Sequence, residues 1–165
     1  MAHRDLKPAN ILISDDRQSS ILTDFGSMTE RTIEINNSRK SQQIQEWAAE
    51  NCSMFYRAPE LFEPRVGTTV NEKADTWSLG CILFAMLYNV GPFDYVAEKG
   101  DSIALAVSNA KYFIPNQIQR PEYLIKLLKK TIVYEQTDRE NLSKILSDLD
   151  NLSNMDMENE NQQIV

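Results

Sequence analysis

The chain contains 165 residues, 42% of them apolar and 25% charged, which excludes a disordered chain and suits one globular domain with its own core. Its 24 acidic residues against 17 basic ones leave a net charge of −7, so the basic face that displaces counterions from nucleic acid is missing. Two cysteines, Cys52 and Cys81, and a single histidine, His3, exclude a disulfide framework and a Cys/His zinc cluster and favour a reducing, cytoplasmic location.

Met1-Ala2-His3-Arg4-Asp5 has no apolar stretch and reads as no signal peptide, and Ala2 in place of glycine excludes N-myristoylation of the chain as written. Ile11-Leu12-Ile13 and Ser20-Ile21-Leu22-Thr23 are short apolar runs around a polar turn, which predicts a small β-hairpin. Asp15-Asp16 inside that turn could be metal ligands or a solvated turn; no third oxygen ligand is near in sequence, which favours the turn. From Gly26 the chain is polar and without strand periodicity. It then becomes a short amphipathic helix over Ser41–Glu50, with Ile44, Trp47 and Ala48 on one face.

Asn71 to Asn89 is the strongest helix, capped by Asn71 and stopped by Gly91-Pro92. It is apolar on nearly every face from Trp77, so Cys81 and Met86 are expected in the core. The run from Leu79 to Tyr88 has about half of the ~20 residues that a membrane span requires. Asp101 is placed to cap a helix reaching Asn109. Pro121 opens another, with Leu124, Leu127, Leu128 and Ile132 on its inner face. Thr137 and Glu140 have capping-box spacing before a last helix with the stripe Leu142, Ile145, Leu146 and Leu149. Residues 151–165 are polar and acidic and read as a disordered tail, leaving 1–150 as the folded domain.

The residues that carry chemistry are His3-Arg4-Asp5-Leu6-Lys7-Pro8-Ala9-Asn10, then Asp24-Phe25-Gly26, then Ala58-Pro59-Glu60. These resemble, in order, the catalytic loop, the metal-binding turn and the end of the activation segment of protein kinases. Within that superfamily, Glu46 to Cys52, Tyr56 to Phe62 and Gly100 to Val107 resemble the Numb-associated kinase group. The resemblance covers residues 2 to about 150 and implies a mainly α fold, a kinase C-lobe with one small hairpin. It implies phosphoryl transfer from ATP, with Mg²⁺, to a protein Ser/Thr acceptor; Lys7 resembles the serine/threonine rather than the tyrosine class.

By the same resemblance Asp5 is the base, and Lys7 stabilises the transferring phosphoryl. Asn10 and Asp24 hold Mg²⁺, and Leu12 joins Lys7, Asn10 and Asp24 in binding the cofactor. Phe25 and Gly26 complete the metal-binding turn. His3 admits two readings, a general base or a packed histidine that braces the loop; the kinase resemblance implies the second. Arg4 is either a solvated charge or the partner of a phosphorylated activation loop. Ser53 is implied to touch Asp5 and Lys7, Asp75 to accept catalytic-loop N–H groups, and Glu60 and Arg139 to form a buried ion pair. Around Arg139 the prolines frequent in the family are missing, and Glu140 follows.

The family's N-lobe features (a Gly-rich loop, a strand lysine, its helix glutamate and the hinge) have no counterpart in the 165 residues. The expectation is therefore a truncated kinase that is inactive alone, with the N-lobe as a missing partner. The alternative is a non-catalytic C-lobe that docks proteins through the helix from Asp101 and the activation segment. No nucleic acid partner and no membrane span are expected.

Overall fold

The computed structural model describes residues 1–115 and 118–150. The tail expected to be disordered, residues 151–165, lies outside them. The fold is mainly helical, with two separate two-stranded antiparallel sheets.

After a 3-10 turn at Pro8–Asn10, β1 (Ile11–Ile13) pairs with β2 (Ser20–Leu22), Ile11 opposite Leu22 and Ile13 opposite Ser20. The turn between them is built from its own polar side chains. Asp16 Oδ1 accepts from Ser14 Oγ at 2.6 Å and from Gln18 N at 2.9 Å, so Asp16 serves the turn. A second sheet went unseen in the sequence. In it β3 (Ile33–Ile35) pairs with β4 (Thr68–Val70), Ile33 opposite Val70. Each strand has three residues, too few for a period-2 signal, and the partners lie far apart in the chain. Ile35 and Val70 point into the core.

Between β3 and β4 run α1 (Ser38–Asn51) and α2 (Pro59–Phe62). α1 begins three residues earlier than the pattern implies, because the Asn37 side chain accepts from Lys40 N at 2.8 Å. Ile44 and Ala48 are buried and Trp47 is half-buried.

The central helix α3 spans Lys73–Tyr88. Asn71 accepts from Lys73 N at 2.9 Å, so it satisfies the helix start while Glu72 stands at the cap position. The helix ends at Asn89, in the left-handed conformation (φ 59°) with its N–H on Ala85 O at 2.8 Å. Gly91-Pro92 is thus not the stop; Gly91 N–H donates to Asp94 Oδ2 at 2.7 Å and opens α4 (Asp94–Glu98). Trp77, Cys81 and Phe84 are fully buried, but Met86 is 74% exposed, which corrects its placement in the core. An all-apolar helix does not show which side lacks a neighbour, and no described element covers the Met86 side.

α5 (Ile103–Ser108) is capped by Ser102, whose Oγ accepts from Leu105 N at 3.3 Å, rather than by Asp101. α6 (Glu122–Thr131) lays Leu128, and Ile132 just after it, against α3. Gly80 permits that contact, since a Cβ there would lie 2.5 Å from Thr131 Oγ1. The last helix covers residues 142–150. Its expected capping box does not form: Thr137 Oγ1 donates to Asp138 Oδ1 at 3.2 Å, and Glu140 Oε1 accepts from Asn141 N at 3.0 Å. Of its stripe only Ile145 is buried; Leu142, Leu146 and Leu149 are exposed, because the helix meets the body through Ile145 and an Asp148–Lys130 ion pair.

Candidate active site

The segment from His3 to Asn10 runs across the N-terminal end of α3. Asp75, in the first turn of α3, accepts from His3 N at 2.7 Å and from Arg4 N at 2.8 Å. One carboxylate on the most buried helix thereby fixes the backbone of the loop. Arg4 has a left-handed backbone, φ 69°, a conformation that costs a non-glycine residue about 1–3 kcal/mol and persists only where neighbours enforce it.

Arg4 itself is neither solvated nor open to a phosphate. It is 1% exposed. Its guanidinium donates to Asn71 O (2.5 Å), Glu30 O (3.2 Å), Val70 O (3.2 Å), Arg31 O (3.3 Å) and Thr29 Oγ1 (3.1 Å). Burial alone lowers its pKa, and nearby carboxylates offset part of that. In this structure the partners of the guanidinium are carbonyls of β4 and of the segments flanking β3 and β4, and a hydroxyl.

Asp5 stands at the centre. Its Oδ2 accepts from Lys7 Nζ at 2.7 Å, and its Oδ1 accepts from Ser53 N at 2.7 Å. Lys7 Nζ also donates to Ser53 Oγ at 2.8 Å. Ser53 follows α1, so that helix delivers it to the loop. Burial pushes the Asp5 pKa up, but the hydrogen bonds from Lys7 and Ser53 outweigh it, and the net direction is down. Asp5 is therefore an anion at neutral pH.

Asn10 donates from Nδ2 to Asp5 O at 2.9 Å, which turns its amide oxygen away from the loop; no described protein donor engages that oxygen. Asp24 follows β2 in a left-handed conformation (φ 60°), accepting from Gly26 N at 3.4 Å. The hairpin ends are tied by Thr23 N to Asn10 O at 2.9 Å, so Asn10 and Asp24 emerge from its same end. An amide oxygen and a carboxylate are hard ligands that fit Mg²⁺. Among the described residues no three His, Cys, Asp or Glu side chains converge on a metal position. Leu12 is 53% exposed on β1.

His3 is buried, with Nδ1 accepting from Asp5 N at 3.3 Å and Nε2 against Thr23 O at 3.2 Å. Both ring nitrogens are engaged, which leaves it no lone pair for a substrate proton. The Phe25 ring leans on it at 5.7 Å. Behind the site, Glu60 and Arg139 form a bidentate pair at 2.8 and 3.0 Å. Arg139 also donates to Lys73 O at 2.7 Å and lies over Trp77, so α2, α3 and the chain after α6 meet at one guanidinium. Removing one partner of such a buried pair costs about 3–5 kcal/mol.

Sequence reasoning passed over three residues at this site. Thr23 Oγ1 donates to Asn10 O at 3.1 Å, and Ser27 Oγ donates to His3 O at 2.7 Å; hydroxyls on both sides of Asp24-Phe25-Gly26 were the available signal. Arg57 Nη2 donates to Cys52 O at 2.5 Å, and nothing local in the sequence marks that contact. The Cys52 thiol, which burial pushes up to about 12, is inert at neutral pH. No helix among the described residues is long and apolar enough to cross a membrane.

Comparison with known proteins places these features in context. The protein kinase domain family matches residues 1–149. Serine/threonine-protein kinase 16 of Mus musculus is 43% identical over 151 residues, 92% of this chain and 49% of that protein. Serine/threonine-protein kinase ppk13 of Schizosaccharomyces pombe is 38% identical over 90% of the chain and 43% of its own length. Serine/threonine-protein kinase ENV7 of Saccharomyces cerevisiae is 33% identical over 92% and 42%. The chain thus spans about half the length of the curated relatives it matches.

Proposed function

The chain belongs to the protein kinase family, and from that premise we propose that it carries the acceptor side of an ATP-dependent serine/threonine kinase site. The observation that carries this reading is the closed triangle of Asp5, Lys7 and Ser53. It sets an anionic carboxylate beside a lysine that is only partly covered.

Bound Mg²⁺–ATP supplies the transferable phosphoryl group and the metal charge that neutralises it. Asp5 orients the acceptor Ser/Thr hydroxyl and takes its proton. Lys7 holds positive charge next to that oxygen, where negative charge grows during transfer. Asn10 and Asp24 hold the metal, and Leu12 offers an apolar contact to the nucleotide. Ser53 keeps Lys7 and Asp5 at their spacing. Asp75, Glu60 and Arg139 act on the backbone that carries these groups. Residues 1–150 form the catalytic half-domain. By itself the 165-residue chain turns over no ATP, because a kinase works by positioning and these residues include no Gly-rich loop or strand lysine to place the phosphates. A non-catalytic docking role is the second reading, and the exposed Leu105 on α5 and Phe113 beyond it favour it.

The test fuses the chain behind the upstream half of the Mus musculus relative and assays labelled-phosphate transfer to a basic protein. The fusion transfers phosphate and the chain alone does not. In the fusion, Asp5→Asn lowers kcat by about 10²-fold or more with the KM for ATP nearly unchanged, as for a group acting in the transition state. Full turnover by that variant removes Asp5 from the mechanism, and an active fusion that is indifferent to Asp24→Ala removes the metal assignment.

A further inference from the structure

Arg57 is a buried cation that neither the fold nor the proposed chemistry uses. It is 6% exposed. Its guanidinium stacks on Phe62 at 4.8 Å, and its Nε has no hydrogen-bond partner. Burial lowers its pKa, so the charged form is held at a cost. A buried cation with an unsatisfied donor is a poor device for stability, and an apolar side chain of equal size would fill the space more cheaply.

Its one strong contact is Nη2 to Cys52 O at 2.5 Å. The N–H of that same peptide unit, on Ser53, donates to Asp5 Oδ1 at 2.7 Å. A planar trans peptide directs its carbonyl and its N–H to opposite sides, so this unit is gripped at one end by a cation and at the other by the central carboxylate. We propose that Arg57 is a positioning residue for Asp5, acting through the Cys52–Ser53 peptide. This rests on the reading of Asp5 as the base.

The two oxygens of Asp5 are then held from two sides, with Asn10 Nδ2 also within 3.4 Å of Oδ2. Lys7 grips Oδ2 directly at 2.7 Å, and Arg57 grips Oδ1 through one amide. When Lys7 swings toward a phosphoryl group, the second grip keeps the carboxylate in register. The relay has a physical basis: a carbonyl that accepts from a cation polarises its amide and strengthens the bond its N–H donates. The Phe62 face fixes the plane of the guanidinium, and the rigid fork leaves Nη2 little freedom to miss the carbonyl.

The test reads the Ser53 amide by nuclear magnetic resonance in the 165-residue chain, in Arg57→Met and in Arg57→Lys. Arg57→Met keeps the packing on Phe62 and removes the donor; Arg57→Lys restores a cationic donor. In Arg57→Met the Ser53 amide proton moves upfield and exchanges roughly tenfold faster, while the amides of α3 hold their exchange rates. Arg57→Lys returns both towards the parent values. In the phosphate-transferring fusion, Arg57→Met lowers kcat about tenfold and leaves the KM for ATP within about twofold, the signature of lost positioning. Should Arg57→Met fail to fold, Arg57→Gln, which keeps an N–H donor without the charge, is compared with Arg57→Lys at the same amide. An unmoved Ser53 amide in the variant without a cation, or an unmoved kcat in an active fusion, overturns the proposal. Absence of phosphate transfer in every form sinks the reading of Asp5 as base and leaves the amide measurement to decide the coupling.

Discussion

The two small sheets have three-residue strands and antiparallel pairing in common, yet they are opposites in burial. β3 and β4 place Ile35 and Val70 at 1% exposure in the core, and Arg4 reaches the carbonyls beside both strands from below. β1 and β2 leave Leu12, Ile13 and Ile21 more than half exposed and Leu22 38% exposed. β3–β4 is held by tertiary contacts. β1–β2 is held by its own turn and by the Asn10–Thr23 tie, and it serves to bring Asn10 and Asp24 to one end. Sheets of equal size thus differ in role: one ties Arg4 and the segment around α1 into the core, the other brings Asn10 and Asp24 to one end of a frame with an exposed apolar surface.

The largest effect that would break this contrast lies under β3–β4. Arg4→Met strips the donor from four carbonyls and a hydroxyl in a buried site, and should cost about 3–5 kcal/mol, as for other dismantled buried charge networks. Equilibrium urea unfolding measures it; a loss below about 1 kcal/mol would mean that β3–β4 needs no such anchor. Next in size is a matched pair of truncations. Ile35→Ala should cost about 2–5 kcal/mol through the cavity it leaves, whereas Ile21→Ala, made on a strand that faces water, should stay within about 0.5 kcal/mol. Equal losses at the two positions would erase the distinction between the sheets.

The smallest expected effect is a pH dependence. The net downward shift of the Asp5 pKa means that the folded state binds this proton less readily than the unfolded chain. Its contribution to stability is therefore full above the ordinary aspartate value of about 3.9 and is lost as pH falls through the lower folded value. Asp5→Asn should flatten the acid limb of the stability curve in that window and leave its neutral region parallel to the parent. An acid limb of unchanged slope would mean that Lys7 and Ser53 do not hold the carboxylate as their distances suggest.

Much of this was legible in the residues themselves. The hairpin β1–β2 follows from two apolar runs around a turn, and α3 from an apolar stretch longer than any strand. Asp5, Lys7 and Asn10 stand within six residues of one another, so local spacing alone brings their grouping into view. The register of α3 was less clear, because an apolar helix does not say which residue caps it; Asn71 acts from one position further out. Met86 and the stripe on the last helix were misplaced for a related reason, since a hydrophobic period shows that a face wants burial and not whether a neighbour arrives to bury it.

The sequence by itself determined the make-up of the set: a carboxylate, a lysine, an amide and a second carboxylate in a fixed order, because residue type and short spacing are properties of the chain alone. Tertiary structure alone decided that β3 finds β4, that Arg4 faces carbonyls instead of solvent, and that Arg57 closes on the peptide in front of Asp5. Each of these depends on a buried polar group finding a partner that can lie tens of residues away. Burial makes such a partner energetically necessary, but only the packed fold determines which one is within reach.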